Sequence, residues 1–257
     1  MPELVVPEAA FATAQFILQQ TALEIGLNLG TADPFQQGTP ITNRLCALLT
    51  STCNLLKGMH EWQHLQVVYN LTTQAGDTGV YPLPSDFYAL TDQTGWQKSY
   101  FWPLRGPYSA QMWQRVVNYP TTGIYVAFRI ENNQLWLWPQ PPPIGIGVTF
   151  VYKSNFWCTD GLTDTGKAAP TQGSDIINFD WMAVMTFLKL RYLASLGHDV
   201  TAAKEEFRVA MDMAMAAADG AAPELELARD ARFPFITGFN SPDTGFGGQP
   251  PAGGSYQ

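Results

Sequence analysis

Residues 124–152, IYVAFRIENNQLWLWPQPPPIGIGVTFVY, decide the fold class. Ile124, Val126, Phe128 and Ile130 alternate with Tyr125, Ala127 and Arg129, the period-two pattern of a strand with one buried face. Glu131-Asn132-Asn133 supplies a turn, because Asn tolerates left-handed backbone. Leu135-Trp136-Leu137-Trp138 returns as a second strand, and Pro139 with Pro141–Pro143 ends it. A third run over 146–152 alternates Ile146, Val148, Phe150 and Tyr152. The middle of the chain is therefore expected to be antiparallel sheet, with further strands at 65–72, 80–84 and 113–118.

Helical periodicity flanks this region on both sides. Phe11, Ala14, Leu18, Ala22, Ile25 and Leu29 recur at three- and four-residue steps, predicting a helix over about 7–29 that Gly30 terminates. Thr39 is the N-cap of a second helix with Pro40 at its first position. It carries Ile41, Leu45, Leu48, Leu55 and Met59 to about residue 62. Residues 158–175 read as a linker rich in Thr, Asp and Gly. Ser174 or Asp175 then caps a third helix with Ile177, Trp181, Val184, Leu188 and Tyr192 on one face, closed by Gly197. Asp199 begins a fourth, where Ala203, Phe207, Ala210 and Ala214 form a narrow stripe suited to close helix packing and Gly220 ends it. The expectation is an α+β fold. A helical arm at 1–64 bundles with the helical arm of 158–220, and an antiparallel β region at 65–157 is inserted between them. Residues 221–257 change character to Gly and Pro punctuated by Phe233, Phe235, Phe239, Phe246 and Tyr256, an extended segment without a core of its own.

Composition limits the function classes. Charged residues make up 14% of the chain, against a usual fraction of about 25%, which suits a surface covered by partners. The net charge of −8 and the scattering of 14 basic residues argue against sequence-independent nucleic-acid binding. No stretch reaches the roughly 18 apolar residues of a membrane span, and the acidic start MPELVVPEAAF lacks the basic residues of a signal peptide. Cys46, Cys53 and Cys158 are odd in number and form no CxxC, as expected of small core hydrophobes in a reducing compartment.

His60-Glu61-Trp62-Gln63-His64 matches HExxH. On a helix the two imidazoles would share a face, bind Zn²⁺ and let Glu61 polarise a bound water, the chemistry of a metallopeptidase. A third ligand is needed, and His198 is the other histidine. A carboxylate such as Asp86 would have to come from a neighbouring helix, yet it sits in a Pro-flanked turn. The helix is also expected to end near Trp62, because Leu65-Gln66-Val67-Val68-Tyr69 reads as strand, which takes His64 off it. Phosphate loops, GxGxxG and GxSxG are missing from the sequence. Glu205-Glu206 falls on a solvated helix face. Trp136 and Trp138 project to one side of their strand, as a carbohydrate-binding platform or a subunit interface would require. The expectation is no catalytic residues, no metal ligands and no cofactor. Trp136, Trp138, Phe233, Phe235, Phe239, Phe246 and Tyr256 are the candidate partner-binding residues. A zinc metallopeptidase and an aromatic carbohydrate-binding module are the alternatives.

Four segments, in order, resemble the tail tubular protein A family, the head-to-tail adaptors of short-tailed bacteriophages. They are the helix closing over Met59–Trp62 before a strand; Tyr81-Pro82-Leu83-Pro84-Ser85-Asp86-Phe87, similar to a YxLPxDF turn; Leu135-Trp136-Leu137-Trp138-Pro139-Gln140-Pro141-Pro142 followed by Val148–Tyr152; and the closing helix pair from Ser174 to about Ala218 with Leu196-Gly197-His198-Asp199 at the join. The likeness spans about 8–220 and leaves 158–175 and the residues after 220 unmatched. It implies a structural, non-enzymatic subunit of a homo-oligomeric ring, usually a dodecamer, between the portal protein and the tail nozzle, with tail fibres as further neighbours. DNA would pass through without specific binding. The location implied is the virion tail and neck, assembled in the host cytoplasm, with no membrane.

Overall fold

The computed structural model describes residues 11–99, 102–118 and 126–219. In chain order the elements are β1 (Ala12–Thr13), α1 (Ala14–Glu24), α2 (Pro34–Gln37), α3 (Pro40–Met59), a 3-10 turn (Gln63–Leu65), β2 (Gln66–Thr72), β3 (Val80–Pro82), β4 (Phe87–Leu90), β5 (Trp96–Gln97), β6 (Trp102–Pro103), α4 (Ala110–Asn118), β7 (Ala127–Glu131), β8 (Gln134–Trp138), β9 (Gly147–Ser154), β10 (Cys158–Thr159), β11 (Gly166–Lys167), β12 (Ile176–Ile177), α5 (Trp181–Leu196) and α6 (Thr201–Asp219). The architecture is α+β: the N- and C-terminal helices pack together, α5 against α1, α3 and α6, and the antiparallel sheets lie between them in sequence. The described chain divides into two compact units, one of residues 11–68, 84–91 and 151–219, the other of 69–83, 92–99, 102–118 and 126–150.

The first unit holds the helical core. Its helices start where the sequence offers an acceptor for free amides. The Thr13 hydroxyl accepts from the Phe16 amide, the Thr39 hydroxyl from Thr42 with Pro40 behind it, and Asp180 from Ala183. Leu18, Leu45, Leu49, Leu56, Val184 and Leu188 are fully buried in one cluster. Trp62 and Trp157 enter it too, their indole N–H groups donating to the Leu56 carbonyl (2.7 Å) and to Asn54 Oδ1 (3.2 Å). Phe187 stacks on Phe207 at 4.3 Å, joining α5 to α6.

The second unit holds the sheet β3-β8-β7. Phe128 opposes Leu137 and Ile130 opposes Leu135, with Leu135 and Leu137 fully buried. The β7–β8 turn works as expected: Asn132 and Asn133 both take positive φ (51° and 57°), the two-residue turn whose twist matches the strands. The Ile124 and Tyr125 positions of that pattern lie outside the described residues.

Several boundaries differ from expectation, each for a local reason. The first helix stops at Glu24, where Gly26 takes a left-handed turn (φ 75°) four residues ahead of Gly30, which is left-handed too (φ 69°), and the Leu27 amide bonds the Ala22 carbonyl (2.7 Å). Its expected start at 7–10 lies outside the described residues, and 11–13, expected helical, are not: Ala12–Thr13 form β1 and Thr13 caps α1 at Ala14. The buried face of α3 is Thr42, Leu45, Leu49, Thr52, Cys53 and Leu56, whereas Ile41, Leu55 and Met59 are exposed. Residues 113–118 are helical. The Ser109 hydroxyl and carbonyl accept the Met112 and Trp113 amides (3.3 and 2.9 Å), and Trp113, Val116 and Val117 fall at helical spacing. The linker 158–175 contains β10 and β11, which join β12 and β1 in a four-stranded sheet. Asp175 is not a helix cap. Its carboxylate turns back to the amides of Thr171 (2.7 Å) and Gln172 (3.2 Å), and Ile177 is a strand residue paired with Ala12 and Cys158. Gly161 is required where two turns meet, since a Cβ there would lie 2.1 Å from the Ser174 carbonyl oxygen. The end of α6 at Gly220 lies outside the described residues.

Candidate interaction surface

The HExxH segment does not form a paired-imidazole face. Helix α3 ends at Met59, and His60 is extended (φ −147°, ψ 161°). His60 Nε2 lies 2.6 Å from Asp219 Oδ1, while the Gln63 amide reaches the Asp219 carbonyl (3.3 Å). Glu61 pairs with Lys153 at 3.2 Å. His64, in the 3-10 turn, packs against the rings of Phe11 (5.2 Å), Trp62 (5.8 Å) and Phe179 (6.0 Å), and burial pushes its pKa down. His198 sits at the α5–α6 join, its amide bonded to the Leu193 carbonyl. Among the described residues no group of three or more His, Cys, Asp or Glu side chains is placed to hold a metal ion. The same residues instead clasp the end of α6 to the turn after α3.

The YPLPSDF turn is also built in. Asp86 accepts from the Tyr152 hydroxyl (3.0 Å) and the Ser154 hydroxyl (2.8 Å), and its carbonyl accepts the Asn155 amide (2.6 Å). Burial, and then the Asp86 carboxylate, push the Tyr152 phenol up to about 12. Tyr88 lays its ring 4.0 Å from Lys57 Nζ. Lys57 is itself buried at the end of α3 and donates to Asn155 and Asn54. Its pKa is lowered by burial and by the nearby Lys153. One turn thereby ties the end of α3 to the end of β9.

Trp136 and Trp138 share a face of β8 opposite Leu135 and Leu137, and both are half-buried. The Trp136 indole N–H and the Gln140 amide nitrogen are buried with no hydrogen-bond partner among the described residues. Phe233, Phe235, Phe239, Phe246 and Tyr256 lie outside the described residues.

Sequence reasoning missed an apolar groove along α5 and α6, a cavity of about 850 Å³. Met182, Met185, Val209, Ala210, Met213 and Ala217 line it, and Met182, Val209 and Met213 are exposed. Four carboxylates, Glu24, Asp180, Glu205 and Glu206, rim it around a single cation, Lys189. Lys189 bridges Glu206 (2.7 Å) and Glu24 (3.0 Å), and Glu205 holds Arg208. The signal available in the sequence was Val209 and Met213 one turn apart on α6, with Met182 and Met185 on α5; Met211 belongs to the core. The free cysteines are buried or half-buried, and burial pushes the Cys46 and Cys158 thiols up to about 11 and about 12. No described helix is long and apolar enough to cross a membrane. Compared with protein-family models and with curated proteins, the chain matches none.

Proposed function

We propose that this chain is a structural subunit of a bacteriophage head-to-tail connector, one protomer of a closed ring between the portal and the tail nozzle. The observation that carries the reading is the α5–α6 groove, an open methionine-lined surface on a helix pair of the kind that marks a protein interface. The architecture supports it by likeness. Helices from before and after the sheets bundle together, and the YPLPSDF turn is fixed to both α3 and β9 through Asp86 and Lys57. Fold-level likeness alone leaves function open, so the weight rests on the groove and on a surface poor in charge. The HExxH residues supply packing and a clasp in this reading, and DNA is cargo that passes without a specific contact. The test is native mass spectrometry of the full chain across micromolar to hundred-micromolar concentration, with single-particle imaging. The expected result is one closed ring species, of twelve copies by the family resemblance. A subunit that stays monomeric over the whole range would sink the proposal.

A further inference from the structure

We infer that the α5–α6 groove is the seat of residues 233–246 from a neighbouring copy of this chain, so that each subunit lends an aromatic strap and receives one. The inference rests on the ring reading and deepens it. The groove itself selects the occupant. Its lining is methionine and alanine with Val209, and methionine sulfur packs favourably and adaptably against aromatic rings. The segment FPFITGFNSPDTGF offers Phe233, Phe235, Phe239 and Phe246, with Asp243 as its sole charge. A cavity of about 850 Å³ lies within the range of about 300–1,000 Å³ typical of clefts that enclose a ligand. Pro234, between two of the anchors, lowers the entropy lost on docking.

Charge fits in the same register. Arg232 immediately precedes the first anchor, with Asp230 between it and Arg229, and the groove rim carries Glu24, Asp180, Glu205 and Glu206 against Lys189, with Arg208 on Glu205. A strap entering anchor-first brings the Arg232 guanidinium to a rim with more carboxylates than cations.

Chain length favours exchange between copies. Helix α6 is described as far as Asp219, two residues after the groove residue Ala217. The groove follows α6 from Ala217 back to Ala202, about 22 Å at 1.5 Å per residue. Residues 220–232 separate Asp219 from Phe233 and can span up to about 43 Å. A strap folding onto its own helix needs only a short reversal, while a spacer of this reach suits a neighbour. Tail-to-groove is a heterologous contact, joining two different patches of one surface, and contacts of that class close into rings when the rotation between copies closes.

The test uses the full chain with a photo-crosslinking residue, Met213→p-benzoylphenylalanine, repeated at Val209 in case the first variant folds poorly. Light and heavy-isotope copies are mixed at ring-forming concentration, irradiated, and the linked peptides identified. The expected result is light–heavy crosslinks from both positions into 233–246. Their yield should fall at least fivefold when Phe233→Ser and Phe235→Ser are added, with the circular dichroism spectrum unchanged. Crosslinks confined to one isotope overturn the exchange, and crosslinks that avoid 233–246 overturn the strap. A ring by native mass without tail crosslinks refutes the strap and keeps the ring. Light–heavy tail crosslinks in a species that never closes support the strap and refute the ring.

Discussion

Lys57 and Lys153 are both buried in a chain where charged side chains are scarce, and they are held differently. Lys153 has the Glu61 carboxylate and the His60 carbonyl, each at 3.2 Å. Lys57 is held by neutral groups: the amide oxygens of Asn155 and Asn54 and the face of Tyr88. A buried ammonium without a carboxylate contributes little net stability, but removing its acceptor leaves it unsatisfied. Urea denaturation of Lys57→Met is therefore expected to give stability unchanged or raised by about 1 kcal/mol. Asn155→Ala should lose about 1–3 kcal/mol. Combining the two should cost less than the sum, since the orphaned charge is gone. A loss above about 2 kcal/mol for Lys57→Met would show that the ammonium itself holds the turn. At this scale the sequence was legible where a residue acts on its immediate neighbours, as with Thr39 and Pro40. It misled where polar residues take core positions. Thr52 and Cys53 sit fully buried on α3, with the Thr52 hydroxyl accepting from Arg191 (3.3 Å). A search for a leucine stripe therefore chose Leu55 and Met59 instead. What the HExxH residues do instead was not legible, because their partners Asp219 and Lys153 are remote in sequence.

Among the elements, the corner built by β10, β11 and β12 was hidden in what read as a linker, because its strands are two residues long and its order comes from side chains. Lys167 bridges Asp160 and Asp175. The Lys167 ammonium and the Leu162 and Thr163 amides hold the Asp160 carboxyl far below its ordinary range. Burial opposes ionisation of Asp175, yet the Thr171 amide and Lys167 keep its pKa below normal too. Both carboxyls thus bind protons more weakly folded than unfolded, so the unfolded state takes up protons first as pH drops below about 4. Their stabilisation is complete at neutral pH and is lost as pH falls through the folded values. Lys167 has the opposite sign: its raised pKa favours the fold below about 10.4, and that contribution fades as pH rises through the folded value. Thermal melts from pH 7 to pH 2 should show Asp160→Asn melting lower than the parent at pH 7 and losing less between pH 5 and pH 2.5. Parallel curves would mean that the corner stands without its ion pairs. Long, periodic elements such as β8, β9 and α6 were legible because periodicity integrates over many residues. Residues 113–118 were not, since a short Val-rich run fits either period until Ser109 caps it.

For the whole molecule, the proposed connector role raises the question of how such a subunit would avoid adhering to DNA. The net charge is −8, from 22 acidic and 14 basic residues, and five of the twelve described Lys and Arg side chains are paired with carboxylates. Arg129 pairs with Glu131, Lys153 with Glu61, Lys167 with Asp160 and Asp175, Lys189 with Glu24 and Glu206, and Arg208 with Glu205 and Asp212. Each of these five would have to give up a carboxylate before meeting a phosphate, so they add little to counterion release. The acidic excess would repel a duplex over about 10 Å at 0.1 M salt. Fluorescence anisotropy with a labelled duplex is expected to detect negligible binding at about 150 mM salt. Any residual binding at about 50 mM should follow a log–log salt slope shallower than about −2, the value for roughly two phosphates neutralised. The measurement must be made on the assembled species, because ring closure can gather scattered cations onto one surface. A steep slope there, near −6 or beyond, would mean that assembly creates a basic lumen, and passage without adhesion would then fail as an account of the low charge.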